Sequence, residues 1–393
     1  MTIKTLKFKE NEFLYLITYA VFIFATIADS SLLSLGMLKT VINYGSVLIM
    51  IFLALFRNLS IKQLIFYVVF CSVFFISAFM TDRTFLMVYA VLLINARCTT
   101  FRRIVQTSLI TTTISVAAII ALCKVGVIQD YVYDHDGIVA HSYGFGHYSS
   151  ISYFAMYAVI MYMYLQKEKM GWLKIGFLAA ISYGVYKVTT TRLSFLLTLF
   201  AIFLYIILIK YDLIDIRAKF IVFLSDISFV LVSAFCMFLH FGYNERNEIM
   251  EKLNDALANR LLMGKTAIQL YDIKLLGQNI KMVGNTTVHF DDSNFEDYFY
   301  IDSGYIYGIL GYGLLFFIML IAAYTIIIRY SAVSANKMIM IWSLSVLIFN
   351  VSNNSWVSIT YNPLLLMLPF VLVYDWKSDN LLERVMLDYD IEL

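Results

Sequence analysis

Four short segments of the chain combine residue types that can bind an anion or move a proton. They are 189–194 with Arg192, 141–147 with His141 and His147, 259–262 with Arg260, and 302–305 with Asp302. A guanidinium is planar and permanently charged, and it can bind phosphate through two parallel hydrogen bonds. A carboxylate or an imidazole can accept a proton from a hydroxyl group. Together these residue types favour a site that binds a phosphate-bearing substrate and deprotonates an alcohol.

Each segment also has an ordinary structural interpretation. Arg192 can extend from the end of a short helix to the lipid headgroups, and Arg260 can be an exposed residue of an amphipathic helix. Asp302 can be the N-cap of the helix that follows it. The segment from His141 to His147 can be a glycine-containing turn that re-enters the membrane. We favour the turn for His141 and a functional role for His147. The two histidines are a weak metal site, because the sequence offers no third ligand at a useful spacing.

The composition requires these segments to be carried by a membrane protein. Hydrophobic residues make up 61% of the 393 positions and charged residues 14%, and the mean hydropathy is +0.79. A soluble protein cannot bury that much apolar surface, whereas lipid solvates it in a helical membrane protein. The net charge of +2 gives no reason to expect a nucleic-acid partner.

The hydropathy pattern predicts an all-α polytopic fold in a single integral membrane domain that covers residues 1–393, with about 12 transmembrane helices. The predicted spans are 13–28, 40–56, 61–80, 84–96, 104–122, 148–165, 172–187, 193–209, 219–241, 303–328, 338–352 and 359–375. Both prolines of the chain, Pro363 and Pro369, fall in the last span and predict a kink there. The four cysteines lie far apart, without metal spacing, and are expected to be packing residues.

The positive charges predict the orientation. When successive loops are assigned to alternate faces, 18 of the 29 Lys and Arg fall on one face. That face is therefore expected to be cytoplasmic, with both termini. The two longest polar loops, 123–147 and 242–300, are then extracytoplasmic. The residues on the predicted cytoplasmic face are Lys4, Lys7, Lys9, Arg57, Lys62, Arg97, Arg102, Arg103, Lys167, Lys169, Lys174, Lys210, Arg217, Lys219, Arg329, Lys337, Lys377 and Arg384.

The loop 242–300 has internal structure of its own. Apolar residues recur at a helical period from Arg246 to Ile273, which predicts one or two amphipathic helices on the outer face. Arg246 and Arg260 are 14 residues apart and are expected to share a helix face unless Gly264 ends the helix first. The acidic stretch 291–297 is expected to be solvated.

The four segments, in their order along the chain, resemble elements of the Wzy-type polysaccharide polymerases. The matching runs are Tyr143-Gly144-Phe145-Gly146-His147, Thr189 through Arg192 to Ser194, Asn259-Arg260 through Gly277, and Asp302-x-x-Tyr305 through Gly313. The resemblance covers about 140–370. It departs from the family at Tyr148-Ser149, where Pro-Asn is common, and at Ser303, where Asn is common.

The resemblance implies a lipid-donor glycosyltransferase of GT-C-like architecture. Such an enzyme joins oligosaccharide repeat units on undecaprenyl diphosphate, outside the membrane, without a metal ion, nucleotide sugar or other cofactor. Arg192 and Arg260, together with Arg246, would hold the leaving diphosphate, and Asp302 or His147 would be the base. His141, Tyr143 and Tyr305 complete the expected substrate contacts, with loop 242–300 as a lid. The implied partners are lipid-linked oligosaccharide, membrane lipids, a flippase and a chain-length regulator.

Three other functions compete with this interpretation. A related O-antigen-type ligase usually carries a His at the re-entry element, where this chain has Asp302. A lipid-oligosaccharide flippase should have ionisable residues inside its spans, and these spans are almost free of charge. A scaffolding subunit is the third alternative, and neighbouring genes for sugar transferases would argue against it.

Overall fold

The protein is mostly helical in the computed structural model, which describes residues 3–33, 35–55, 61–135, 138–167, 170–283 and 299–373. The helices are α1 (Ile3–Asp29), α2 (Met37–Leu55), α3 (Ile61–Thr81), α4 (Phe85–Asn95), α5 (Phe101–Lys124), α6 (Ser149–Gln166), α7 (Trp172–Thr189), α8 (Arg192–Tyr205), α9 (Lys219–Gly242), α10 (Glu248–Ala256), α11 (Arg260–Leu270), α12 (Gly304–Tyr307), α13 (Leu314–Val333), α14 (Lys337–Phe349) and α15 (Leu368–Val371).

Seven of the described helices are long and apolar enough to cross a membrane. They are Glu10–Asp29, Met37–Leu55, Leu64–Thr81, Phe101–Lys124, Arg192–Lys210, Lys219–Gly242 and Leu314–Val333. Two shorter apolar helices are Phe85–Cys98 and Lys337–Phe349. This pattern is that of a multi-pass membrane protein. The count of twelve spans, the GT-C-like architecture and the orientation stay predictions.

The structure corrects the predicted elements in three places. The tenth span, 303–328, is not one helix, because α12 leads into a π-helical turn at Gly308–Tyr312 and Gly313 separates that turn from α13. The twelfth contains only a 3-10 turn at Pro363–Met367 followed by α15 over its described residues. The fold is not purely α-helical either: loop 123–147 carries a hairpin of β1 (Val132–His135) and β2 (Ile138–His141).

The chain divides into two compact units. The first comprises Met1–Phe75, Thr84–Thr198 and Ile359–Leu393. In this unit α1 packs against α2 and α5, and the row continues through α6 to α7. Tyr15 and Tyr19 are fully buried there, and their hydroxyls donate to the carbonyls of Leu92 and Ile359 at 3.2 and 3.0 Å. Buried phenols thus keep a polar partner inside an apolar bundle.

The second unit comprises Ile76–Arg83 and Leu199–Ser358. Helix α9 packs against α11, α12, α13 and α14 in this unit. Its aromatic core contains Trp356, which is fully buried against the rings of Tyr305, Phe317 and Tyr324.

A close contact between two glycines joins the part of loop 242–300 that follows α11 to the start of α13 in the second unit. The backbone N–H of Leu314 donates to the carbonyl of Lys274 at 3.0 Å. A Cβ on Gly313 would lie 2.2 Å from the nitrogen of Gly277, and Gly313 has φ +94°. Only glycine allows both the close approach and this backbone conformation. This contact therefore holds the segment after α11 against the start of α13.

Candidate functional site

Arg260 and Asp302 meet in the second unit and form its central polar contact. The Arg260 Nε donates to the Asp302 Oδ2 at 2.9 Å, across 42 residues of sequence. The two side chains are 28% and 32% exposed. Among the described residues, Asp302 is the only hydrogen-bond and ion-pair partner of the Arg260 guanidinium. The two terminal nitrogens of Arg260 therefore have donors left for another ligand.

A tight turn places Arg260 at the first position of α11. Residues Ala258 and Asn259 have φ values of 52° and 61°, so α10 ends and the chain reverses before Arg260. The buried Asn254 fixes this turn: its Nδ2 donates to the Asn259 Oδ1 at 2.9 Å, and its Oδ1 accepts from the Leu262 N–H at 3.0 Å. The amphipathic pattern does not mark Asn254 as a positioning residue.

The same turn corrects the expected position of Arg246. Arg246 lies before α10, is exposed, and does not share a helix with Arg260. The helix breaks at 257–259 and not at Gly264. Of the one or two amphipathic helices predicted for this loop, α10 is amphipathic, whereas α11 is a helix without an amphipathic pattern. The placement of these helices on the outer face stays a prediction, and the acidic stretch 291–297 lies outside the described residues.

The residues that follow Asp302 fix its position, and one of them, instead of Asp302, caps α12. Ser303 is the N-cap of α12, with its Oγ accepting from the Ile306 N–H at 3.5 Å, so the N-cap interpretation of Asp302 is wrong. The Gly304 N–H donates to the Asn350 carbonyl at 2.9 Å. Burial raises the pKa of Asp302 above its ordinary value, although the Arg260 charge and hydrogen bond act in the opposite direction. A higher pKa makes this carboxylate a stronger base than an ordinary aspartate.

His240 lies behind this pair and is absent from the sequence-based candidates. Its Nδ1 donates to the Cys236 carbonyl at 2.7 Å, and its ring packs directly on Gly264 of α11. The Cys236 sulfur lies 3.3 Å from the Ser303 Oγ. His240 sits inside the predicted helix 219–241, where an isolated histidine gives no signal of its contacts.

Tyr305 is part of the core of the second unit. It is fully buried, and its hydroxyl donates to the Leu347 carbonyl at 2.8 Å. A substrate contact at Tyr305 would require this packing to open. Its expected role in substrate binding therefore gains no support from its position.

The first unit holds the histidine segment on the hairpin. The His141 Nδ1 lies 2.8 Å from the Asp130 Oδ2, and the Tyr143 N–H donates to the Asp130 Oδ1 at 2.7 Å. The Tyr143 ring stacks on His141 and carries the Lys124 ammonium 4.6 Å from its centroid. Asp130 is a further residue that the sequence pattern does not identify, because its partners lie 11 and 13 residues away.

His147 acts as an acceptor at the start of α6. Its Nδ1 lies 2.6 Å from the Ser149 Oγ and accepts from the Ser149 N–H at 3.2 Å. Burial lowers the pKa of His147 to about 4, so the ring is neutral at pH 7. A neutral ring that accepts at Nδ1 carries its proton on Nε2. Its one lone pair is occupied in this arrangement, which favours Asp302 over His147 as the base.

Arg192 is exposed at the first position of α8. A small cleft lies near it in sequence, in the first unit, between α6, α7 and α8. The cleft is lined by hydroxyl groups that include Thr191 and Ser194, the neighbours of Arg192 in sequence. Arg192 itself does not line it, and the described residues give its guanidinium no ion pair.

Within the part of the chain that the structure describes, no group of three or more His, Cys, Asp or Glu side chains could hold a metal ion. Arg260 and Asp302 are thus brought together in the second unit, while Arg192, His141 and His147 belong to the first. No protein-family model, curated protein or solved structure matches this chain.

Proposed function

We propose that the protein is a polysaccharide polymerase that transfers growing glycan from undecaprenyl diphosphate to a lipid-linked repeat unit, outside a bacterial cell membrane. The hydroxyl of the acceptor sugar attacks the anomeric carbon of the donor. A new carbon–oxygen bond forms, the bond to the diphosphate oxygen breaks, and the diphosphate leaves with the electron pair. The hydroxyl proton passes to a base.

The observation that carries the proposal is the Arg260–Asp302 pair. Asp302 is a partly exposed carboxylate with a raised pKa, as a general base requires. Arg260 has unused donors beside it, as stabilisation of a leaving diphosphate requires. The apolar helices and the resemblance of the surrounding segments to the polymerase family point to the same lipid-linked substrate.

The pairing of the two residues links their roles. An ionised Asp302 holds the Arg260 Nε at 2.9 Å in the resting protein. When Asp302 takes the hydroxyl proton, the ion pair loses its negative partner. The full charge of Arg260 then becomes available at the moment when negative charge develops on the leaving diphosphate. Stabilisation of this kind acts in the transition state more than in the ground state, and this difference accelerates the reaction.

The other candidate residues keep supporting roles in the proposal. Arg192 and Arg246 are exposed arginines that would add positive charge for the diphosphate. His141 and Tyr143 would contact sugar on the hairpin of the outer loop. His147 would position the start of α6 and would serve as a base only after release of its contact with Ser149.

A genetic experiment with matched variants tests the proposal. Deletion of the gene should leave single lipid-linked repeat units in place of the polymer ladder. Expression of wild type should restore the ladder, and Asp302→Asn should not. The control is Asp226→Asn, because Asp226 pairs with Arg329 at 3.0 Å in the same unit and is 29% exposed. A normal ladder in the deletion strain, or equal rescue by the two variants, would contradict the proposal.

A further inference from the structure

Arg83 is a half-buried arginine held between aromatic rings in the second unit. Its guanidinium lies 4.7 Å from the centroid of the Tyr307 ring and 5.9 Å from that of Tyr312. Both tyrosines are almost fully buried, at 1% and 2% exposure. Arg83 follows α3 directly, and its own N–H donates to the Ala78 carbonyl at 2.9 Å.

The charge of Arg83 is not neutralised by the described part of the protein. No carboxylate forms an ion pair with Arg83 among residues 76–83, 199–283 and 299–358. In contrast, Arg260, Arg329 and Lys337 of the same unit each contact an aspartate. Burial of an unpaired charge is costly, so a protein that retains one usually uses it for a ligand.

The tyrosines hold the guanidinium without cancelling its charge. A phenol with an ordinary pKa of about 10 is neutral at pH 7. Its ring attracts the cation, and its hydroxyl group can donate a hydrogen bond to a ligand. The cluster therefore presents net positive charge and hydrogen-bond donors. Its complement is an anion with several acceptor oxygens, such as phosphate.

The cluster is close to the Arg260–Asp302 pair along the chain. Asp302 immediately precedes the N-cap of α12 and Tyr307 is the last residue of that helix. The four residues of α12 correspond to about 6 Å along its axis. The charge pattern of the sequence predicts the outer face for the loop of Arg83 and for the re-entry element alike. One lipid-linked substrate can therefore have its phosphate and its reacting sugar close to the two clusters.

We propose that Arg83, with Tyr307 and Tyr312, forms a second phosphate-binding site of this protein, which takes the diphosphate of a lipid-linked substrate. The choice of carrier rests on the proposed function, since that reaction uses two lipid diphosphates, a donor and an acceptor. The phosphate chemistry itself rests only on the tyrosines and on a guanidinium that no described carboxylate neutralises.

The test measures binding and needs no glycan transfer. The full-length protein is placed in phosphatidylcholine nanodiscs, in an Arg260→Gln background that removes the first anion contact. Binding of farnesyl diphosphate is compared with binding of farnesol and of inorganic pyrophosphate. Addition of Arg83→Gln should weaken farnesyl diphosphate binding about tenfold or more, the typical effect of one charge-assisted contact. Arg217→Gln is the control, since it removes the same charge from an exposed loop position of the same unit.

Each outcome decides the inference. Equal affinity of the Arg83→Gln and Arg217→Gln proteins would overturn it. If Arg83→Gln does not fold, Arg83→Lys keeps the charge but not the planar geometry, and undiminished affinity in that variant would overturn it equally. Phosphatidylglycerol that displaces farnesyl diphosphate from an Arg83-dependent site at equal concentration would overturn the assignment to a lipid-linked substrate. Arg83-dependent binding in a protein that makes no polymer would refute the proposed function and support this site.

Discussion

Replacement of Gly264 by alanine should destabilise the protein through its contact with His240. An ideal Cβ at position 264 would lie 2.0 Å from the His240 Cδ2 and 2.7 Å from its Nε2. His240 is 3% exposed, and its Nδ1 is fixed by the Cys236 carbonyl at 2.7 Å. The ring cannot yield to the new methyl group without losing this hydrogen bond or displacing α11.

The size of the effect follows from three opposing contributions. Alanine is favoured over glycine inside a helix by about 1 kcal/mol. Overpacking of a buried site costs about 1–3 kcal/mol. Loss of the His240 hydrogen bond costs about 1 kcal/mol more. The helix-propensity gain therefore offsets the lost hydrogen bond, and the free energy of unfolding should fall by about 1–3 kcal/mol, the overpacking cost.

Denaturant unfolding in detergent, followed by tryptophan fluorescence, measures this change. Trp342 and Trp356 are fully buried in the second unit and report on its packing. Gly184→Ala is the control, because Gly184 is also helical and a Cβ there meets nothing within 4 Å. Alanine at position 264 should cost much less in a His240→Ala background, since the clash is then absent. Equal stability of the Gly264→Ala and Gly184→Ala proteins, or the same cost in both backgrounds, would refute the reasoning.

Four further predictions concern activity and topology. Arg260→Lys keeps the charge but not the planar geometry, so glycan transfer should fall on the order of 100-fold. Arg192→Lys should lower activity to a similar extent, and the double variant Arg192→Lys, Arg260→Lys should be little worse than either single variant. A normal polymer ladder from Arg260→Lys and from Arg260→Ala would show that Arg260 is only an exposed surface residue. Asp302 must be ionised to act as a base, so activity should rise with pH, and the apparent pKa of this rise should lie above the ordinary aspartate value of about 3.9. Because Arg260 lowers the pKa of Asp302, Arg260→Gln should move that rise to higher pH, and an unchanged apparent pKa would contradict the assignment of the base. Polymerisation by the purified protein should continue in excess EDTA, since fixed arginine charge replaces a metal; loss of activity restored by magnesium or manganese would reveal a missed metal site. External thiol labelling should reach Asp292→Cys and miss Glu168→Cys, both outside the described residues, and the reverse pattern would invert the topology.

The sequence predicts most helices closely because hydropathy is a local property. The predicted span 219–241 corresponds to Lys219–Gly242, and 172–187 corresponds to Trp172–Thr189. The prediction fails where backbone geometry overrides hydropathy. The apolar run 303–328 looks continuous, but the positive φ at Gly313 and its contact with Gly277 divide it. Such a contact depends on a segment 36 positions earlier in the sequence, which no local pattern reveals.

The candidate residues can be chosen from the sequence, whereas their contacts cannot. Residue chemistry alone identifies Arg260 and Asp302, because charged groups are rare beside apolar segments. Their pairing does not follow from the sequence, since both also fit ordinary surface or capping roles. The turn that separates Arg246 from Arg260 is hidden for a similar reason: Ala258 and Asn259 adopt positive φ values, and alanine gives no turn signal.

The sequence alone does not identify Arg83 as a candidate, because its possible role depends on the side chains that surround it in the folded protein. Arg83 counts in the sequence only as one positive charge in a short outer loop. In the folded second unit its closest described partners are tyrosines, whereas the similarly charged Arg329 has Asp226 at 3.0 Å. The two arginines carry the same charge, but of the two only Arg329 has a carboxylate partner among the described residues. Because the described residues give a carboxylate partner to Arg329 and none to Arg83, a bound anion would stabilise the fold at Arg83 more than at Arg329. In an Arg260→Gln background, which removes the other expected anion contact, pyrophosphate should raise the midpoint temperature of thermal unfolding. It should do so equally after addition of Arg329→Gln, and it should have no effect after addition of Arg83→Gln.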